Sequence, residues 1–316
     1  MRKKVAIIYE HLLTYLRRKT KIKMTVAGFT FIRNAMTYDY PIVEAIRSIL
    51  PVCDFVVVAI GKSEDATLEL IQSIDNQKIR IVETTWDDSL REGGRVLAVE
   101  TDKAFDTIGI AEADWCFYIQ GDEVLPENEV ETVKNALEKW KNDPNTEGVL
   151  FKYRHFYGSY DFVGQSRKWY RREIRIIKND NTIRSYRDAQ GFRKNGRKLK
   201  VREIDAYIHH YGWVKDPRAQ QLKQLNFNKL WHSDATVSKM VADVETFDYS
   251  QIDDLKRFDA PHPKVMQARI AASNWQFSFD PTGRKISLKE RLSRLFEQWT
   301  GWRFGEYKNF KKIGNV

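Results

Sequence analysis

The sequence predicts an α/β protein with a mostly parallel central sheet that is flanked by helices on both faces. The first observation is an alternation of strand-like and helix-like segments between residues 24 and 141. The second is that the strand-like segments are short continuous apolar runs, which are typical of strands buried on both faces. The third is that polar residues follow the last run, at 120–123. Because ligands bind at the carboxyl ends of strands in such sheets, we expect a site there.

Four strands and four helices alternate in this part of the chain. Pro41 lies near the start of the first helix, where proline is favoured, and Ser63 or Asp65 can cap the second. The helices carry apolar residues at helical spacing. The predicted strands are 24–32, 54–60, 78–83 and 115–120, and the predicted helices are 40–50, 66–74, 91–108 and 127–141.

The pattern changes after residue 148, where aromatic and basic residues become frequent. We expect a small mixed sheet from strands at 148–154, 173–178 and 201–210, and a helical region after residue 215. The predicted helices there are 219–230, 237–240 and 263–273. The expected division is a basic extension at 1–23, a main domain at 24–215 and a helical region at 216–316.

Positive charge is concentrated in two segments of a chain whose formal net charge is +10. Residues 1–24 contain 8 Lys and Arg against one acid, and residues 165–203 contain 14 against 4. Such segments favour anionic partners, which are phosphates, an anionic membrane face or nucleic acid. No zinc-finger, helix-turn-helix or RNA-recognition signature is visible, so we expect no nucleic-acid partner.

The sequence lacks the signs of a secreted or membrane-spanning protein. No apolar run reaches the roughly 18 residues of a membrane span, and no signal peptide pattern is visible. The two cysteines, Cys53 and Cys116, both lie in apolar contexts, so we expect neither a disulfide nor a thiolate zinc site. A cytoplasmic protein is predicted. The first 23 residues form either a solvated tail or a basic amphipathic helix at the inner face of the plasma membrane, through Leu12, Leu13, Tyr15, Leu16, Arg17, Arg18 and Lys19.

Several stretches between residues 24 and 123 together form a known pattern. The segments 24–35, 41–50 and 55–67, the last of which contains the Ser-x-Asp-x-Thr turn Ser63-Glu64-Asp65-Ala66-Thr67, resemble the opening of family 2 glycosyltransferases. The segment Ala111-Glu-Ala-Asp-Trp-Cys-Phe-Tyr-Ile-Gln-Gly-Asp-Glu is similar to the family's segment that ends in Asp-x-Asp followed by an acid. The resemblance covers roughly residues 24–215.

The resemblance implies a GT-A fold and a nucleotide-sugar donor, linked to UDP, GDP or dTDP. Residues 24–125 are then the nucleotide half, and residues 126–215 are the acceptor half, with the small mixed sheet on the acceptor side. The residues expected to contact the donor are Phe31, Arg33, Asn34, Ser63, Asp65, Arg95, Gln120, Gly121 and Asp122.

A Mg²⁺ or Mn²⁺ ion held by Asp122 and His210 is also implied. His210-Tyr211-Gly212-Trp213 resembles a late His-Tyr-Gly segment of the family, in which the histidine lies near the metal. The alternative is a strand histidine packed beside aromatic residues. Gln120 departs from the Asp-x-Asp motif and loses one carboxylate, for which Glu123 could compensate.

A second departure concerns the nucleobase. The family often has acids where this chain has Ala59 and Ile60, so Glu83 or Asp65 could take over their role. For the catalytic base, the resemblance favours Asp188 first and Asp161 second. The alternative for either is a surface carboxylate paired with a nearby arginine.

The predicted function is transfer of a hexose from a nucleotide sugar to a glycan or lipid-linked hydroxyl, with inversion and with metal assistance, in cell-surface polysaccharide synthesis. Three alternatives remain open: a catalytically degenerate binding module, a basic nucleic-acid-binding protein, and a nucleotidyltransferase. The basic residues of the acceptor half either hold the acceptor or form a solvated face; they are Arg167, Lys168, Arg171, Arg172 and Arg175.

Overall fold

The computed structural model describes residues 23–74, 77–241, 244–250, 252, 254–280, 288–301, 303 and 305–314. The predicted basic extension lies outside these residues except for Lys23. Within them, eleven strands form one mixed sheet and three strands form a small second sheet.

The strands and helices follow the predicted order. The strands are β1 (Val26–Ile32), β2 (Phe55–Gly61), β3 (Ile79–Thr84), β4 (Trp115–Tyr118), β5 (Glu123–Val124), β6 (Gly148–Tyr157), β7 (Ser159–Gly164), β8 (Arg172–Lys178), β9 (Ile183–Tyr186), β10 (Gly191–Lys194), β11 (Arg197–Lys198), β12 (Lys200–Trp213), β13 (Leu255–Arg257) and β14 (Lys311–Lys312). The helices are α1 (Ile42–Ile49), α2 (Thr67–Gln72), α3 (Arg95–Asp106), α4 (Val130–Trp140), α5 (Pro217–Lys229), α6 (Asp234–Met240), α7 (Gln267–Ala271) and α8 (Leu288–Thr300). Among the described residues, none of these helices is long and apolar enough to cross a membrane.

The sheet has a parallel part and a mixed part. β3, β2, β1 and β4 are parallel neighbours in that order. β8 then pairs antiparallel with both β4 and β6, while β12 runs parallel to β6 on its other side. The predicted α/β class with a mostly parallel central sheet is confirmed. The predicted small mixed sheet is continuous with the parallel part, because β8 pairs with a strand of each.

Apolar strands explain why helices cover both faces of the parallel part. All seven residues of β2 are buried. Since alternate side chains point to opposite faces of a sheet, Val56 and Val58 join one hydrophobic core, while Val57 and Ala59 join the other. α1 and α4 pack in the first core, and α3 packs in the second. Full burial of each such side chain stabilises the fold by roughly 1.5–3 kcal/mol.

The region after residue 215 completes the carboxyl edge of the sheet. Asp216 caps α5 by accepting a hydrogen bond from the amide of Arg218 at 2.8 Å, and Pro217 occupies the first turn. The region predicted to be helical also contributes two strands, because β13 pairs with β7 and β14 pairs with β12.

Candidate active site

A cavity of about 280 Å³ lies at the carboxyl ends of β1 and β4. Its volume is close to the lower end of the range for small-molecule sites. Its wall combines the ends of these strands, the segment between β9 and β10, and one side of α5. The residues that line it include Phe31, Arg33, Trp86, Gln120, Gly121, Asp122, Asp188, His210 and Lys223. Seven predicted site residues therefore come together at the predicted edge.

Asp122 follows β4 and presents a largely buried carboxylate to this cavity. Its Oδ2 accepts a hydrogen bond from Nζ of Lys223 at 2.9 Å, and its Oδ1 lies 3.6 Å from Nε2 of His210. Burial alone would raise the pKa of Asp122, but the adjacent charge of Lys223 holds it well below the ordinary carboxyl value. The carboxylate is therefore ionised at neutral pH.

His210 is placed by the pairing of β12 with β5, which sets it opposite Glu123. Nε2 of His155 donates to the carbonyl oxygen of Tyr170 at 2.7 Å, since a carbonyl only accepts. Nδ1 of His155 then accepts a hydrogen bond from Nδ1 of His210 at 3.1 Å. Burial lowers the pKa of His210, which favours the neutral ring. Its Nε2 is therefore an acceptor that faces Asp122.

Gly212 makes room for these two side chains. A Cβ atom at this position would lie 2.7 Å from Oδ2 of Asp122 and 2.7 Å from Nε2 of His210. The carbonyl oxygen of Gly212 also accepts a second hydrogen bond from Nζ of Lys223, at 2.8 Å. The site therefore requires a residue without a side chain here.

Glu123 does not take part in the cavity. Both of its carboxylate oxygens are held by Arg175, and one of them also accepts a hydrogen bond from the hydroxyl of Tyr153 at 2.8 Å. The expectation that Glu123 compensates for the carboxylate lost at Gln120 is therefore wrong. The sequence could not reveal this, because Arg175 lies on a different strand.

Asp188 lines the cavity from the segment between β9 and β10. Its neighbours Arg187 and Ala189 have φ values of 56° and 61°, in the left-handed region that is uncommon for residues other than glycine. Gly94 allows Asp188 to approach, because a Cβ atom there would lie 2.9 Å from Cβ of Asp188. Burial raises the pKa of Asp188, which suits a group that takes up a proton.

Asp161, the second candidate for the base, lies elsewhere. It is exposed on β7, and its Oδ2 accepts a hydrogen bond from Oγ of Ser159 at 3.3 Å. It is not among the residues that line the cavity. Its position corrects the expectation that it could serve as the base.

Phe31 and Arg33 surround an aromatic residue that the sequence did not single out, Trp86. The ring centroids of Phe31 and Trp86 are 5.7 Å apart, and the guanidinium carbon of Arg33 lies 4.3 Å from the centroid of the Trp86 ring. The indole Nε1 of Trp86 is buried and has no hydrogen-bond partner within the described chain. The sequence signal that could have identified Trp86 as a site residue is its position two residues after β3, at the carboxyl edge of the parallel strands.

Gln120 and Gly121 join the cavity as predicted. Nε2 of Gln120 lies 3.4 Å from the hydroxyl of Tyr118 and 3.4 Å from the carbonyl oxygen of Ala189. Gln120 thus links the end of β4 to the segment that carries Asp188.

Four other predicted donor contacts lie outside the cavity lining. Oγ of Ser63 accepts from the amide of Asn34 at 3.0 Å, and Asp65 accepts from the amide of Thr37 at 2.8 Å. These bonds tie the loop after β1 to the turn after β2, so the Ser-x-Asp-x-Thr segment supports the backbone. Arg95 is exposed at the start of α3. Glu83, which was an alternative for recognition of the nucleobase, is also exposed.

The basic stretch of the acceptor half is largely neutralised within the chain. Arg171 pairs with Glu297 and Glu306, each at 2.8 Å. Arg172 pairs with Glu203 at 2.7 Å. These side chains tie the C-terminal region and β12 to β8, which gives them a structural role.

The predicted divalent metal site fits the residues present poorly. Within the described ranges, no cluster of three or more His, Cys, Asp or Glu side chains could hold a metal ion. The two predicted ligands, Asp122 and His210, do lie together, but Lys223 already neutralises that carboxylate. Mg²⁺ needs near-octahedral oxygen ligands, and among the described residues Asp122 is the carboxylate that lies beside His210.

Comparison with known proteins gives distant structural matches. No family model matches the chain, and no curated protein matches it significantly. TarS from S. aureus is 16% identical, with 70% of this chain and 41% of TarS covered and a TM-score of 0.37. A shorter TarS chain in complex with UDP is 14% identical, with 70% of each chain covered and a TM-score of 0.38.

The mannosyltransferase PcManGT from Pyrobaculum calidifontis, in complex with GDP-Man and Mn²⁺, is also similar. It is 19% identical, with 45% of this chain and 41% of PcManGT covered and a TM-score of 0.29. The chain thus spans about two fifths of the length of full TarS. Because these values are low, the function proposed below rests on the site itself. The order of the parallel strands, with a cavity at their carboxyl ends, is the arrangement expected for the predicted fold class.

Proposed function

We propose that this chain is a glycosyltransferase that moves a sugar from a nucleotide-sugar donor to a hydroxyl group of an acceptor. The observation that carries this proposal is the composition of one cavity, where Trp86, Asp122 and Asp188 all contribute to the wall. A nucleotide sugar needs an aromatic surface for its base, polar groups for its diphosphate, and a nearby carboxylate for the proton of the acceptor.

The nucleobase of a UDP-, GDP- or dTDP-linked donor binds beside Phe31 and Trp86. Stacking of a base on an aromatic side chain is worth about 1–3 kcal/mol. Trp86 lines the cavity, while its Nε1 is buried against the backbone of Gly61, so the aromatic ring is what it offers to the base. Arg33 lies on the same indole ring and pairs with Asp88 at 2.9 Å.

The diphosphate and the sugar bind towards Asp122. Gly121 has no side chain, so the donor can approach the backbone there. Nε2 of His210 can accept a hydrogen bond from a hydroxyl group of the nucleotide sugar. Mg²⁺ or Mn²⁺, which the resemblance assigns to Asp122 and His210, is not part of this proposal, because Lys223 already pairs with Asp122.

Asp188 is the base of an inverting single displacement. It takes the proton of the acceptor hydroxyl as that oxygen forms a bond to the anomeric carbon. The bond from the anomeric carbon to the phosphate oxygen breaks, and its electron pair leaves with the nucleoside diphosphate. Attack from the face opposite the leaving group inverts the configuration. The raised pKa of Asp188 supports this role.

The acceptor is a glycan or a lipid-linked hydroxyl, as in cell-surface polysaccharide synthesis. Tyr170 and Trp213 line the cavity and offer aromatic surface to a sugar ring. Hexose is the sugar class that the resemblance suggests.

The enzyme works at the cytoplasmic face of an anionic membrane, to which α8 gives peripheral contact. Leu292, Leu295 and Trp299 lie one helical turn apart in succession and are 58%, 61% and 86% exposed. An exposed apolar helix face that includes a tryptophan is typical of helices that bind at the membrane–water interface. The basic residues around it in the sequence are Lys289, Arg291, Arg294 and Arg303, of which Arg294 pairs with Asp254 and Arg303 pairs with Glu297. The Leu292→Ser/Leu295→Ser/Trp299→Ser variant should stop pelleting with phosphatidylglycerol vesicles, and unchanged pelleting would remove α8 from this role.

The function is tested with a panel of UDP-, GDP- and dTDP-linked sugars and with the free nucleotides. We expect one nucleotide class to raise the melting temperature, while oligonucleotides do not, and its sugar to be turned over. Asp122→Asn should abolish turnover with a native circular dichroism spectrum. Binding of nucleotide without turnover by the wild-type chain would favour the degenerate binding module, and a response to oligonucleotides alone would favour nucleic-acid binding.

A further inference from the structure

We infer that Lys223 is the resident cation of the donor site, and that its ammonium group takes the place of a divalent metal beside Asp122. In this role it neutralises the diphosphate that leaves when the sugar is transferred. The inference rests on the proposed glycosyltransferase function and deepens it, because it names the group that supplies the positive charge.

The first support is the geometry of the ammonium group. Nζ of Lys223 donates to Oδ2 of Asp122 at 2.9 Å and to the carbonyl oxygen of Gly212 at 2.8 Å. An ammonium group has three N–H donors. Two are used by these bonds within the described chain, and Nζ also lies 5.0 Å from the ring centroid of Tyr40, which lines the same cavity. We infer that the third donor binds a phosphate oxygen there.

The second support is the match of charges. A site with two carboxylates is neutralised by a divalent ion. Here Gln120 stands where the family pattern has an acid, and Glu123 is held by Arg175, so Asp122 is the carboxyl group of residues 120–123 that lines the cavity. A single ammonium group is the counterion that one carboxylate requires. A divalent ion placed at Asp122 would also lie close to the ammonium group and be repelled by it.

The third support is that the lysine is held in place by the fold. Lys223 is 9% exposed, and Lys215, which lies two residues before the start of α5, is fully buried. Nζ of Lys215 donates to the carbonyl oxygens of Tyr38 and Asp39 at 2.7 and 2.9 Å, which ties the start of α5 to the loop after β1. The ammonium group of Lys223 is therefore preorganised, as electrostatic stabilisation of a leaving group requires.

The chemical step then needs no metal ion. As the bond from the anomeric carbon to the phosphate oxygen breaks, negative charge builds on that oxygen, and Lys223 stabilises it by a hydrogen bond and by its charge. The proton of the acceptor goes to Asp188.

The first experiment uses the wild-type chain and the nucleotide sugar found active in the panel. Release of nucleoside diphosphate is measured in EDTA, in MgCl₂ and in MnCl₂. We expect the rates to agree within about twofold. A loss of tenfold or more in EDTA that Mn²⁺ restores would overturn the inference and leave the transferase function intact. Absence of turnover with every donor in every buffer would instead reject the proposed function, and the inference with it.

The second experiment compares Lys223→Ala with Lys229→Ala, an exposed lysine of the same helix. Removing a preorganised donor of this kind costs about 10²–10³ in turnover, so we expect that loss for Lys223→Ala and none for Lys229→Ala. Lys223→Arg keeps the charge and should retain part of the rate. Wild-type turnover in Lys223→Ala would overturn the inference.

A binding readout separates charge from folding. In EDTA, the free nucleoside diphosphate should bind the wild-type chain and bind Lys223→Ala at least tenfold more weakly, whereas the nucleoside should bind both alike. Equal affinity of both chains for the diphosphate would overturn the inference. Circular dichroism checks that each variant is folded.

Discussion

Arg175 and Glu123 form an ion pair in which both side chains are fully buried. Nε and Nη2 of Arg175 lie 2.7 and 2.6 Å from the two carboxylate oxygens of Glu123. One of these oxygens also accepts a hydrogen bond from the amide of Gln120 at 3.1 Å. The pair therefore fixes the short segment that carries Asp122 between β4 and β5.

Arg175→Met should lower the free energy of unfolding by about 3–5 kcal/mol, because it leaves Glu123 as an unpaired buried charge. Urea denaturation followed by circular dichroism measures the change. The matched control is Arg184→Met, since Arg184 pairs with Asp106 at an exposed site, and the expected loss is about 1 kcal/mol or less. Similar losses in the two variants would contradict a special role for the buried pair.

Asp188→Asn should lower turnover by about 10²–10⁴ while donor binding is retained, because only proton transfer is lost. Asp161→Asn is the control and should have wild-type turnover. In the wild-type chain, the base works only when ionised, so the rate should fall as pH drops through the pKa of Asp188. Since burial raises that pKa, the fall should begin above the ordinary value of 3.8. A rate that stays level down to pH 3.8 would exclude Asp188 as the base.

Gly212→Ala should weaken donor binding and lower stability by about 1–3 kcal/mol, the usual cost of overpacking. The added methyl group would lie 2.7 Å from both Oδ2 of Asp122 and Nε2 of His210, so one side chain must move. Nucleotide titration and urea denaturation measure the two effects. Gly314→Ala is the control, because a Cβ atom there would meet no atom within 4 Å. Unchanged affinity in Gly212→Ala would show that the site tolerates displacement of these groups.

Trp86→Ala should weaken nucleotide binding by about 1–3 kcal/mol, which corresponds to roughly 5- to 150-fold in Kd. Isothermal titration with the active nucleotide measures the change. Trp299→Ala serves as the matched tryptophan control, since that residue lies on α8, away from the cavity lining. Identical nucleotide affinities in both variants would place the nucleobase elsewhere.

The parallel part of the sheet was predictable because its strands are unbroken apolar runs and its helices have apolar residues at helical spacing. Asp122 could be assigned to the carboxyl edge of the sheet because it follows a predicted strand. Asp188 could be assigned to the same edge because it lies in a connection between two late strands. The turn at Ser63 and Asp65 was recognised, but its side chains hold the backbone of residues 34–37 rather than line the cavity. A motif match identifies such a turn without saying which way its oxygens point.

The counterion of Asp122 was not predictable, because Lys223 is 101 residues away and lies on a helix whose pattern only indicates a helical region. The same holds for Glu123, whose partner lies 52 residues further along the chain. Trp86 follows a strand, yet a single aromatic residue in that position is more often part of a core. Pairings between distant segments decide which polar groups face the cavity, and they depend on the folded chain.

The contact between α5 and the end of β4 also has a consequence for synthesis on the ribosome. A nascent polypeptide that has emerged only as far as β12 contains Trp86, Asp122 and Asp188, but it lacks the ammonium group and one wall of the pocket. We therefore expect the growing chain to acquire affinity for its nucleotide late, once α5 has left the exit tunnel.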